Sequence, residues 1–60
     1  MYLFIATYYN IDTDTDIKRE IKFDGQFLNS EKECYIHAMS IAYDEMKNNE
    51  CFVSLELIYC

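Results

Sequence analysis

The stretch "YLFIATYY", residues 2–9, constrains the fold more than any other part of the chain. It holds aromatic, aliphatic and β-branched residues with no charge, glycine or proline. At eight residues it is far below the roughly 20 that a membrane-spanning helix needs. It reads instead as a strand buried on both faces, and such a strand belongs in the middle of a sheet. The rest of the chain must supply its neighbours and its cover.

Two further segments supply the neighbours. "IKREIKF", residues 17–23, alternates: Ile17, Ile21 and Phe23 fall on one side, Lys18, Glu20 and Lys22 on the other. That is the pattern of a half-exposed strand. Arg19 is the polar intruder on its apolar side, expected to lie near an edge with its head extended to water. "CFVSLELIYC", residues 51–60, is a third strand. Strict alternation puts Cys51, Val53, Leu55, Leu57 and Tyr59 on one face and Phe52, Ser54, Glu56 and Ile58 on the other.

The cover comes from the segment between. Asp24-Gly25 is a turn pair. Ser30 and Glu33 have the spacing of a capping box, in which the hydroxyl and the carboxylate each satisfy a free amide of the first helical turn. A helix is predicted from Glu31 to about Lys47, ended by Asn48 or Asn49 in the left-handed conformation. The order is therefore ββαβ: an α+β fold, one small domain over residues 1–60. The central strand pairs with the second as a hairpin. A right-handed crossover through the helix returns the third strand to the free side of the first. The expected sheet is three-stranded and antiparallel, in order 2-1-3, with the helix packed on one face. Alternatively, Asp24-Gly25 opens a second tight hairpin with a short extra strand over "QFLN".

Sixty residues limit what this fold can bury. A chain of this length covers about 60% of the surface it exposes when unfolded, and its core nets about 3–5 kcal/mol, so a staple is expected: a disulfide, a metal or self-association. Zero prolines, one glycine and 52% hydrophobic residues exclude a disordered or low-complexity chain. Cys34, Cys51 and Cys60 are an odd number with no CxxC spacing, and no signal peptide precedes them, so the expectation is a cytoplasmic protein with reduced thiols. Eleven acids against five bases leave a formal charge of −6. That balance argues against nucleic acid, where Lys and Arg supply most of the affinity, and against anionic membranes. It is compatible with a basic protein partner.

"NIDTDTDI", residues 10–17, resembles the start of a calcium loop in its spacing of Asp12, Asp14 and Asp16. Counting from Asp12, however, the loop's obligatory glycine position is Ile17 and its bidentate glutamate position is Phe23. No helix flanks it. Asn, Asp and Thr at these positions are instead what a hairpin turn uses to bond its own backbone. Asp12, Asp14, Asp16 and Asp24 are then an acidic surface rather than a metal site.

Cys34 and His37 are the one Cys–His pair at helical contact spacing, with Cys34 near the helix start, where a thiolate is favoured. A nucleophilic site would also need an orienting group and an oxyanion hole. No glycine-rich loop offers the hole, so no catalytic residues are assigned and no enzyme is expected. Zinc would need further ligands. Cys51 and Cys60 stand about 30 Å apart along one strand and cannot share an ion. Cys34, His37 and Cys60 reach three ligands at most, so no metal or other cofactor is assigned. A small ligand- or metal-binding protein using Cys34 and His37 is the alternative reading.

The surplus of apolar surface is more telling. With Ala38 at the centre of the helix's buried stripe, Cys34, Tyr35, Ile41, Ala42 and Met46 surround it. Ile36, Met39 and Tyr43 then carry the apolar arc to roughly 200°, where a helix on a sheet typically uses about 100°. Large apolar groups also occupy both sheet faces: Leu3 and Ile5 on one, Tyr2, Phe4 and Tyr8 on the other, with Phe52 and Ile58 on the lesser face of the third strand. Residues Tyr2, Phe4, Tyr8, Ile36, Met39, Tyr43, Phe52 and Ile58 are therefore the candidate interaction surface. The open sheet face, an edge strand and the helix arc are the candidate contacts. The function expected is that of a small acidic, non-enzymatic protein-interaction module, self-associating as a two-fold homodimer. It would act as a regulator or inhibitor of a basic protein, in the manner of some phage and mobile-element proteins.

Overall fold

A computed structural model describes residues 1–25 and 30–59. Strand β1 (Tyr2–Asn10) pairs antiparallel with β2 (Thr15–Phe23) on one side and with β3 (Glu50–Tyr59) on the other. The sheet order is β2-β1-β3, as the patterns predict, and helix α1 (Glu31–Glu45) packs on one face. The proposed extra strand over "QFLN" falls on residues 26–29, outside the described residues.

The β1–β2 hairpin closes through the polar turn. The Asn10 carboxamide oxygen accepts from the amides of Asp12 (2.9 Å) and Thr13 (3.2 Å), and Asp14 N–H donates to the Asn10 carbonyl at 2.9 Å. Asp14 takes φ 56°, a left-handed conformation that Asp tolerates because its short polar side chain can bond locally. Its carboxylate accepts from the Tyr9 hydroxyl.

The helix covers the Tyr2, Phe4, Ala6 and Tyr8 face of β1. It presents a stripe of small residues, Cys34, Ala38 and Ala42, one turn apart. Small side chains on the helix let it sit close over the large ones on the sheet, so Phe4, Tyr8 and Ile21 are fully or almost fully buried. Each such side chain contributes on the order of 1.5–3 kcal/mol of apolar burial. Ser30 caps the helix as predicted, its hydroxyl accepting from Glu33 N–H at 3.2 Å.

The helix ends two residues earlier than predicted, and by another device. Met46 is extended (φ −68°, ψ 130°), and among the described residues only Asp14 has a positive φ outside glycine. The carbonyl of Ala42, left without Met46 N–H, accepts instead from the Tyr8 hydroxyl at 2.7 Å. Glu50 then closes the turn: its backbone N–H donates to the Lys47 carbonyl (3.0 Å), and its carboxylate accepts from Lys47 N–H (2.9 Å). A strand tyrosine and a buried glutamate thus do the work expected of an asparagine.

Strand β3 departs from strict alternation. Its register against β1 shifts between Thr7 and Tyr8 and again between Leu3 and Phe4, so Val53 and Ile58 are bulge residues. Opposite β1, Phe52, Leu55 and Leu57 pair with Tyr8, Ala6 and Phe4 and so share the helix-facing side, while Ser54 and Glu56 pair with Thr7 and Ile5 on the open side. The even split of the third strand into two alternating faces is corrected by the bulges: Phe52 belongs to the helix side and packs against the core.

Candidate interaction surface

The predicted surface divides once the helix is placed. Phe4 and Tyr8 have no solvent exposure, so they are core residues and not contact residues. Tyr2 is half-buried, stacked on Phe4 and Phe23. Phe52 lies beneath Tyr43 (ring centroids 5.1 Å apart, tilted) and edge-on to Tyr8 at 6.1 Å. All four lie in or against the core beneath the helix.

Of the other four, Ile58 lies on the open sheet face, and the helix carries Ile36, 59% exposed, and Tyr43, 53% exposed, with half-buried Met39 between them. Together with Tyr35 and Ser40 these helix residues line a shallow apolar groove along the helix. Two ring contacts fix where this ridge lies. His37 packs edge-on against Phe23 of β2 at 4.7 Å, and Tyr43 rests on Phe52 of β3. The ridge therefore overhangs the β3 flank.

The two sheet edges differ in kind. Outer strand β2 carries Asp16, Lys18, Glu20 and Lys22, all exposed and alternating in sign, with Lys22 and Glu20 3.9 Å apart. Charges of this sort guard an edge against strand addition. Outer strand β3 exposes Cys51, Val53, Ser54, Ile58 and Tyr59, and its charged residues are Glu50 and Glu56 alone. Sequence reasoning missed Val53 and Tyr59 as exposed groups, although both lie in the strand it singled out. The open sheet face is less apolar than expected. Its groove mixes Ile5, Thr7, Ser54 and Ile58, 46% exposed, with Lys18, Glu20 and Glu56.

Glu50 is turned inward. Arg19, expected to reach for water, instead crosses the face of β1 and forms a two-point pair with the Glu50 carboxylate at 2.8 and 2.5 Å, the Glu50 side chain being only 1% exposed. On the way the guanidinium lies over the Tyr8 ring, 4.6 Å from its centroid. The Arg19 bonds first, and the Lys47 amide second, hold the Glu50 carboxyl down to about 2. Burial raises the Tyr8 phenol above its ordinary value.

Asp12, Asp14, Asp16 and Asp24 are exposed. Asp12 accepts from the Asn49 carboxamide at 3.0 Å and Asp14 from Tyr9, so the turn's carboxylates serve its own closure. Hydrogen bonding to Asp14 pushes the Tyr9 phenol up. Among the described residues no three His, Cys, Asp or Glu side chains converge as a metal site. Cys34 is buried under the helix while His37 lies on its surface against Phe23; Cys60 is outside the described residues. Among the described residues no helix is long and apolar enough to cross a membrane.

The fold and surface define a small α+β domain of ββαβ order with one edge lined by alternating charges and one bulged edge that is less charged. No protein-family model, curated protein or solved structure matches the chain.

Proposed function

We propose that this protein is a non-enzymatic, self-associating interaction module that regulates a partner through protein–protein contact. The observation that carries this reading is the apolar ridge Ile36–Met39–Tyr43, which stands on the outer flank of α1 after the helix has covered its sheet. Apolar surface left over in this way marks an association site, and a core this small gains stability from being covered by another chain. The acid-rich turn, with Asp12, Asp14 and Asp16, is the surface for a basic protein partner.

Light scattering across a dilution series, with reductant and with or without chelator, tests the self-association. The expected result is a species near 14 kDa, twice the 7.2 kDa chain, that is insensitive to chelator. A mass of one chain at every concentration overturns it.

A further inference from the structure

We infer that two copies pair antiparallel through the outer edge of β3, about a two-fold axis at Leu55, making one continuous six-stranded sheet. This rests on the self-association proposed above and names its surface. Three observations lead to it.

The first is that the ridge and the less charged β3 edge lie on the same flank of the molecule, as the Tyr43–Phe52 and His37–Phe23 contacts require. A stable dimer buries about 800 Å² per partner, about a fifth of the 4167 Å² this chain exposes. A two-fold axis normal to the sheet keeps both helices on the same side of it and turns both ridges inward. If each helix sits above its own β1, the two axes lie about 14 Å apart, three strand spacings. That exceeds the 8–10 Å of close-packed helices, so long side chains such as Tyr43 and Met39 are needed to meet across the gap.

The second is the register. Residues opposed across such an axis must share a face, so the axis falls on a residue and not between two. An axis at Glu56 would oppose like charges. An axis at Ser54 would put Glu56, on the open side, against Phe52, on the helix side. An axis at Leu55 opposes Ser54 to Glu56 and Cys51 to Tyr59, all four on the open side, and confines the mismatch of faces to the bulge residues: Val53 falls opposite Leu57, and Ile58, in the open-face groove, falls opposite Phe52 on the helix side. Ser54 with Glu56 is then polar with polar, and Cys51 with Tyr59 apolar with apolar, each pair on one face, which is the condition for favourable cross-strand contact.

The third is charge. Each chain carries −6. The acidic turn adjoins the Asn10–Glu50 end of the sheet, so antiparallel pairing sends the two turns to opposite ends of the dimer. There their repulsion is screened.

The test uses exposed positions that leave the core intact. In a background with Cys51→Ser and Cys60→Ser, chains carrying Ser54→Cys are mixed with chains carrying Glu56→Cys and oxidised. Directly opposed strand residues stand about 4.5–5.5 Å apart at Cα, within disulfide range, whereas two copies of the same residue are diagonal neighbours at about 7–8 Å, beyond it. The mixture should therefore give a disulfide-linked species near 14 kDa that neither variant gives alone at a comparable rate. If light scattering shows a dimer but the mixture links no faster than the single variants, the chains associate through another surface and this inference fails while the proposed function stands. If the chains are monomeric at all concentrations, both fail.

Discussion

Tyr8→Phe removes one oxygen atom from the centre of the molecule, and the structure sets its cost. The hydroxyl is the donor to the Ala42 carbonyl at 2.7 Å, in a helix whose last turn has already given up the Met46 amide to Tyr43. No water can reach the site without opening the core, because Tyr8 and Ala42 are both fully buried. The substitution therefore strands a buried acceptor, which costs about 1–3 kcal/mol. A fall of ~1.5 kcal/mol would be about 30–50% of the roughly 3–5 kcal/mol a core of this size supplies. It should lower Tm by ~6–12 °C, at the 4–8 °C per kcal/mol typical of small domains. The ring stays beneath Arg19, so the cation–π contact is retained and the effect belongs to the hydroxyl, which also interacts with Arg19. Far-UV circular dichroism melts at one fixed chain concentration measure it, since self-association adds to apparent stability. A shift below about 2 °C would refute the reasoning, because on this scale it corresponds to less than half a kcal/mol.

Glu50 predicts an acid limb. Its carboxyl titrates at about 2 when folded and near the ordinary 4.5 when unfolded, so the stability it contributes is present above pH 4.5 and is lost as pH falls from there toward 2. Urea midpoints measured over that range should decline in the parent, and Glu50→Gln should flatten the decline while lowering stability at neutral pH. Ser30→Ala removes the acceptor for Glu33 N–H and should cost about 0.5–2 kcal/mol of stability, read in the same melts. Gly25→Ala should destabilise as well: a Cβ at Gly25 collides with the edge of the Tyr2 ring, which is held by stacking on Phe4 and Phe23 and cannot retreat freely. Equal melts for Gly25→Ala and the parent would mean that the ring moves without loss.

How much of this was legible in the sequence follows from what each feature depends on. The central strand, the hairpin turn and the Ser30 cap rest on local chemistry, and the 2-1-3 order follows from them by connection rules. The side on which the helix lies does not. Both faces of β1 are apolar, so no pattern distinguishes them, and Phe4 and Tyr8 were assigned to the surface when they are the core. Phe52 moved to the helix side because of a bulge at Val53, and period-two alternation has no term for a bulge. The Arg19–Glu50 pair joins residues 31 apart in sequence. Its one sequence signal was the anomaly of an arginine on an apolar face. The helix ridge, by contrast, was legible because a helical arc wider than one sheet can cover needs no knowledge of the sheet's details.

The buried polar groups bear on the edge as well as on the fold. Arg19, Glu50, the Lys47 amide, Tyr8 and the Ala42 carbonyl form one linked corner, and Glu50 is the first residue of β3. Replacing such an ion pair by apolar residues often leaves stability unchanged or improved, so its presence is poorly explained by stability alone. What it does supply is position: it ties the start of β3 to β2 across the intervening strand and to the end of the helix. An edge strand held in one register loses less freedom when another strand adds to it, which strengthens binding without any new contact. Glu50→Gln should then slow the Ser54–Glu56 cross-link relative to the unaltered background under conditions where circular dichroism shows the fold intact. Unchanged cross-linking in that variant would confine the corner to a role in folding.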